Sequence, residues 1–244
     1  MTGAYLVTGA SKGIGRAIAK EIAAAGFPVI ALARESIDLG VTGAELANLN
    51  SNSLTISCDL GDGADIAAAA KIIASKYSHL SGIVHNAGMI GPIEHMLEVG
   101  GADWARSIQV NLIGVQDLTN RLSSMIGDKN HTRIVTVSSG AAKRAVPHWS
   151  AYCVAKAGLD MWTMCMAEEG ESKNISAMSI SPGIVDTEMQ VKIRAAEKFP
   201  LVDNFRSYHS TGELSAPGDV AKQFLPYCIG RLGGNGQRLD VRDL

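Results

Sequence analysis

Apolar residues in this chain gather in short runs separated by glycine-rich or polar breaks. Residues 4–7 form a continuous apolar run that enters a glycine-rich turn. Ile14, Ala17, Ile18, Ile22 and Ala25 then recur at the spacing of one helix face, and Gly26 closes that element. Residues 28–33 and 54–58 predict a second and a third strand, followed by an alanine-rich helix over about 65–76. Residues 82–85 predict a fourth strand, and a long helix is expected over about 103–125. Strands at 133–137, 175–180 and 236–239 alternate with helices at about 150–169 and 219–229. Strands that are apolar throughout, alternating with helices, imply a parallel sheet covered on both faces. The segment 186–216 fits this alternation poorly and is expected to be a substrate lid, since long irregular segments in compact domains are often lids or binding loops.

Composition narrows the class. Of 244 residues, 46% are apolar and 19% charged, enough for a substantial core, and the even spread of elements predicts a single domain over 1–244 rather than two small ones. A net charge of −2 supplies no basic excess for a nucleic-acid partner. The opening MTGAYLVTGASKG lacks the pattern of a secretory signal, and no stretch approaches the roughly 20 apolar residues that span a bilayer. The four cysteines (58, 153, 165 and 228) form no C-x-x-C pair. They read as reduced thiols in a cytoplasmic protein without a metal site.

The turn after the first strand is Thr8-Gly9-Ala10-Ser11-Lys12-Gly13-Ile14-Gly15. Glycines there permit positive φ and close approach of a phosphate, and the following helix directs free N–H groups and its positive dipole end at the anion. The spacing T-G-x-x-x-G-x-G differs from the standard dinucleotide fingerprint, so a tight turn without a ligand stands as the alternative. An acidic residue at the end of the second strand would bond the ribose of NAD. Ala33 stands there, followed by Arg34, with Lys12 in the turn. Two cations suit the 2′-phosphate of NADP(H), unless both are merely solvated or Glu35 turns to the ribose.

Tyr152 and Lys156 are four residues apart on a predicted helix and so share a face. A nearby ammonium should lower the pKa of a phenol and make it a better proton shuttle near neutrality. Ser138 and Ser139 end the strand before them, at the sheet edge where ligands bind in open α/β folds. His85 at a strand end reads as structural rather than as a base. His148 is a candidate for the substrate mouth, and Cys153 is read as a packed thiol. Asn111, inside an apolar helix, is either a satisfied polar residue or a functional one.

The ordered set TGASKGIG (8–15), N-A-G (86–88), Asn111, Ser139, Y-x-x-x-K (152–156) and Pro182-Gly183 resembles the short-chain dehydrogenase/reductase family over nearly the whole chain. The resemblance implies an α/β Rossmann-type, doubly wound parallel sheet of about seven strands. It implies that Tyr152 is the general acid, that Lys156 holds the nicotinamide ribose and lowers the tyrosine pKa, and that Ser139 bonds the substrate oxygen. It implies that Asn111 organises a relay water through a local distortion of its helix. Gly9, Ser11, Gly13, Ile14 and Gly15 would surround the pyrophosphate and ribose. Asp59 and Leu60 would border the adenine, and Asn86, Ala87 and Gly88 would back the adenosine ribose. Pro182, Gly183, Val185 and Thr187 would flank the nicotinamide. The family likeness also favours the reductive direction.

Substrate identity is less legible. Met89, Ile90, Trp149, Met189, Phe199, Phe205 and Tyr208 suit a bulky apolar carbonyl compound, or else pack the lid onto the body. The stretches V-S-S-G-A, W-S-A-Y-C-V-A-K and P-G-I-V-D-T-E-M-Q resemble the sepiapterin reductase and benzil reductase subgroup, which reduces one carbonyl of a vicinal pair. By that likeness Asp240 anchors the substrate; otherwise it is a surface residue. The expected activity is NADPH-dependent reduction of a bulky or vicinal dicarbonyl compound. The alternatives are another NADP-linked alcohol dehydrogenase, a 3-oxoacyl reductase, or a non-catalytic NADP(H) sensor. Apolar residues around much of the helix 150–169 predict burial on more than one side, either in a homodimer or within one subunit.

Overall fold

The computed structural model describes residues 3–243. Seven parallel strands form one sheet in the order β3-β2-β1-β4-β5-β6-β7. They are β1 (Ala4–Thr8), β2 (Val29–Ala33), β3 (Leu54–Ser57), β4 (Leu80–His85), β5 (Thr132–Val137), β6 (Ile175–Ser181) and β7 (Arg238–Asp240). The inner strands β1, β2 and β4 are largely apolar on both sides because each side is covered. Ala4, Leu6, Ile30, Leu32, Ile83 and Ile134 face one core layer, while Tyr5, Val7, Val29, Ala31, Val84 and Val135 face the other. The first layer is closed by α3 (Gly63–Lys76), α5 (Gly114–Arg121) and α6 (Ser150–Glu171). The second is closed by α1 (Gly13–Ala24) and α9 (Pro217–Cys228).

Winding outward from β1 to β3 and then returning to β4 creates a switch point between β1 and β4. Ligands bind at the carboxyl ends of strands beside such a point. The register pairs Val7 with Val84, so the turns leaving β1 and β4 emerge side by side.

Several elements depart from the sequence pattern. A helix α2 (Ile37–Leu49), not anticipated, follows β2; the Ser36 hydroxyl caps it by accepting the Leu39 N–H at 3.2 Å. The expected helix over 103–125 is α4 (Gly101–Ile108), a π-helical turn at Gln109–Ile113, α5, and a 3₁₀ turn at Ser123–Met125. The segment 186–216 is not irregular throughout: it holds α7 (Glu188–Ala195) and α8 (Val202–Ser210). On α6, Val154, Met161 and Met164 are exposed in the single chain. No helix among the described residues is long and apolar enough to cross a membrane. All four cysteines are free.

Candidate active site

The carboxyl ends of the strands open into one cleft of about 1060 Å³. It brings together Gly9, Ser11, Lys12, Gly13, Ile14, Arg34, Asp59, Leu60, Asn86, Ala87, Gly88, Tyr152, Lys156, Pro182, Thr187 and Met189. Gly15, Asn111, Ser139, Trp149, Gly183, Val185 and Asp240 do not line it, nor do His148, Phe199, Phe205 and Tyr208.

The cofactor end is built from main chain. Gly9 and Gly13 have φ of 66° and 57°, a region that favours glycine. The Thr8 hydroxyl accepts the N–H groups of Asn86 and Ala87, each at 3.0 Å, which ties the glycine turn to the end of β4. The Asn86 amide donates back to Thr8 O at 2.9 Å and Gly9 O at 3.2 Å. Its side chain thus fastens the two turns together. Gly15 lies beneath the turn, where a Cβ would collide with Gly9 O and the Asn86 amide. Its missing side chain lets α1 pack closely on the turn. No side chain caps the first turn of α1, which opens at Gly13 on the cleft. This uncapped, positive helix end fits a pyrophosphate.

Charge gathers beside it. Lys12 pairs with Glu188 at the start of α7. That ammonium, with smaller help from Lys192 and Arg34, holds the Glu188 carboxyl below the usual range. Arg34 lines the cleft and makes no ion pair among the described residues. Farther along, Arg106 donates to Asp59 at 2.6 Å and to Gly61 O at 2.9 Å, while Asp59 also accepts the Gly61 N–H at 2.8 Å. The sequence carried no signal for Arg106, Glu188 or Lys192, because each meets its neighbours only through the fold.

Tyr152 and Lys156 lie one turn apart on α6, both buried, with the Lys156 ammonium 5.8 Å from the centre of the tyrosine ring. Lys156 donates to Val137 O at 2.7 Å. The expected lowering of the tyrosine pKa is not found in the protein alone. Burial pushes the phenol up to about 12, opposed by a hydrogen bond with Ser139. Burial also brings the lysine down to about 8, opposed by Asp160. Desolvation outweighs the cation's field because both groups are taken out of water together. Ser139 is adjacent to Tyr152 and its hydroxyl also accepts the Ala141 N–H at 3.2 Å. Its neighbour Ser138, which does line the cleft, has a buried hydroxyl with no partner among the described residues.

Asn111 sits in the π-helical turn, so the expected distortion is present. Its side chain accepts the Met89 N–H at 2.8 Å and donates to Met89 O at 2.9 Å and Ser107 Oγ at 3.1 Å. The amide is therefore fully engaged in fixing the segment after N-A-G. His85 is neutral and structural: it bonds Thr119 Oγ1 at 2.9 Å, and burial lowers its pKa to about 3.

Three expected residues, Trp149 and Asp240 on the substrate side and Val185 beside the nicotinamide, have surroundings that the sequence does not show. Trp149 is buried, stacked on Phe199 at 5.1 Å and set edge-on to Tyr152 at 5.8 Å, so it packs the lid onto the body instead of lining the cleft. Asp240 is claimed by Arg242 through bonds of 2.8 and 2.7 Å, and that guanidinium holds its carboxyl down to about 2. Val185 belongs to the core and bridges Ser215. Met189 does line the cleft, beside Met89, Ile90 and Ile93.

Comparison with known proteins agrees with this geometry. The family model for short chain dehydrogenases matches residues 4–198. The chain is 34% identical to a benzil reductase ((S)-benzoin forming) of Bacillus subtilis, over 98% of both proteins. Its fold superposes on the KRED1-Pglu enzyme with a TM-score of 0.86 at 30% identity, covering 97% of this chain and 100% of the other. It also superposes on a short chain dehydrogenase from Burkholderia cenocepacia in complex with NADP, with a TM-score of 0.82 at 27% identity, covering 98% and 95%. The glycine turn, the Tyr152–Lys156 pair and the seven-stranded sheet together with these matches place the chain in the short-chain dehydrogenase family of nicotinamide-dependent oxidoreductases.

Proposed function

We propose that the protein is an NADPH-dependent carbonyl reductase that acts on one ketone of a bulky or vicinal dicarbonyl compound, with Tyr152 as the proton donor. One observation carries this reading: a buried tyrosine and a buried lysine, one helical turn apart, open on the same cleft as an uncapped helix end flanked by Lys12 and Arg34. Bound at that helix end, the dinucleotide supplies the hydride chemistry.

The chain's own residues supply the proton and the orientation. With its pKa at about 12, the Tyr152 phenol carries its proton across the physiological range and is set up to donate rather than accept. Lys156, at about 8, titrates close to neutrality and is suited to returning a proton to the tyrosine. Ser139, outside the cleft lining but adjacent to Tyr152, is by the family likeness the second donor to the carbonyl oxygen, and two donors stabilise an alkoxide better than one. Arg34, which makes no ion pair among the described residues, favours the 2′-phosphate, Lys12 would join it by exchanging Glu188 for the phosphate, and the NADP held by the Burkholderia cenocepacia relative supports that choice.

Met89, Ile90, Ile93 and Met189 make the substrate end apolar, in keeping with a bulky ketone, and α7 and α8 form the lid over it. The likeness to benzil reductase points to a vicinal diketone. Asp240 has no part in this reading because Arg242 holds its carboxylate. A panel of diketones, pterins and acyl thioesters, followed by NADPH absorbance, tests it. Turnover should be fastest on aromatic vicinal diketones. A preference for acyl thioesters would make the protein a 3-oxoacyl reductase, and NADPH binding without turnover on any of them would make it a sensor.

A further inference from the structure

Neither Arg238 nor Asp160 lines the cleft, yet together they reach the parts of the chain that carry the reacting groups. Arg238 of β7 donates through Nε to Asp160 Oδ2 at 2.6 Å and through Nη2 to the main-chain carbonyl of Ser139 at 3.0 Å. Asp160 stands on α6 one turn beyond Lys156, as Lys156 stands one turn beyond Tyr152. Lys156 donates to the main-chain carbonyl of Val137. The short stretch 137–139 therefore hangs from two cations, one on α6 and one tied to α6 through a carboxylate.

The Arg238 and Asp160 side chains are 19% and 15% exposed. At such burial the desolvation of both charges largely cancels their attraction, so stability alone explains the pair poorly. The second Asp160 oxygen is buried without a partner, a further cost. We propose that Arg238 and Asp160 are positioning residues: the guanidinium fixes the Ser139 main chain, and with it the hydroxyl facing Tyr152, while the carboxylate sets the field at Lys156. The proposal rests on the reading of Ser139, Tyr152 and Lys156 as the reacting set.

The surroundings of Lys156 make this specific. On its own helix it is faced by the Tyr152 phenol and by Asp160. β5 presents the Val137 carbonyl and the turn Ser138–Ser139, and the π-helical turn presents the neutral Asn111 amide across Gly88. Asp160 is the negative group that opposes the effect of burial on Lys156, and Arg238 is the cation that partly neutralises Asp160. Removing Arg238 should therefore strengthen the negative field at Lys156, and removing the Asp160 charge should reverse it.

The test is the pH dependence of kcat for diketone reduction in wild type, Arg238→Met, Asp160→Asn and the double variant, with NADPH affinity measured in parallel. The apparent pKa belongs to the Tyr152–Lys156 pair as a unit. It should rise by about half a pH unit or more in Arg238→Met and fall by a similar amount in Asp160→Asn. In the double variant it should return toward wild type, while kcat stays about tenfold low because the Ser139 carbonyl has lost its donor. NADPH affinity should not change. Shifts in the same direction, or none, would overturn the proposal, since a purely structural pair has no reason to move the profile both ways.

If a single variant fails to fold, the neutral double variant decides. Wild-type kcat there would overturn the proposal, and a loss partly restored by Arg238→Lys would support it. Failure of the underlying reading looks different, because Tyr152→Phe would then still turn over.

Discussion

The two walls of the cleft are made of different material. The cofactor wall is main chain: Gly9 and Gly13 shape a turn, with Gly15 of α1 packed beneath it, that Thr8 and Asn86 lash to the end of β4 through bonds of 2.9–3.2 Å. The substrate wall is side chain. Met89, Ile90, Ile93 and Met189 line it, and behind them Trp149, Phe199 and Phe205 lie within 5.1–5.6 Å of one another and hold α7 and α8 against the body. A wall of backbone has one shape and tolerates little change. A wall of packed side chains can be reshaped by substitution while the fold persists. The same sheet can therefore keep one cofactor and vary its substrate.

Gly15→Ala should show the sharpest contrast. A Cβ there collides with a main-chain oxygen, which cannot swing away, so the glycine turn must move. Cofactor binding should be lost in a titration followed by fluorescence; retained binding would mean that the turn is softer than described. On the opposite wall, Phe199→Ala should cost about 3–5 kcal/mol in thermal or denaturant unfolding, because the ring is almost wholly buried. In the protein that remains folded, KM for the ketone should rise while NADPH affinity holds. Equal losses in both would erase the distinction between the walls. Arg34→Asp should have the smallest effect and act on affinity alone. A charge-assisted contact to the 2′-phosphate contributes about 1.5–3 kcal/mol, so NADPH should weaken about 10- to 100-fold with NADH little changed. Equal weakening of both cofactors would remove Arg34 from phosphate recognition.

The cofactor wall was also the more legible of the two in the sequence. Positive-φ glycines and an uncapped helix after a buried strand leave a local signature, and Tyr152 and Lys156 share a face by spacing alone. What escaped detection was set by distance or by solvation. The ion pair of Asp160 with Arg238 joins residues 78 apart. Asp240 looked available for a ligand because nothing in the sequence shows that Arg242 turns back on it. Spacing reveals the neighbouring ammonium but not the water that both groups lose, so the rise of the phenol pKa on burial in the protein alone leaves no mark in the sequence.

Secondary structure failed for similar reasons. In α2 the apolar pattern is blurred by Gly40, Gly43 and Ile37, which is 88% exposed. The π-helical turn at Asn111 leaves no trace in composition. The short helices α7 and α8 are held by the aromatic contacts around Phe199 more than by their own periodicity.

The central claim is that the Tyr152 phenol delivers the proton beside a cofactor held by the rest of the cleft. Kinetics of Tyr152→Phe on the best diketone substrate, measured together with NADPH binding, test it most directly. The variant keeps the ring that packs against Trp149 and loses only the hydroxyl. The account predicts NADPH affinity unchanged and turnover reduced by at least about a hundredfold. Turnover near that of wild type would contradict it.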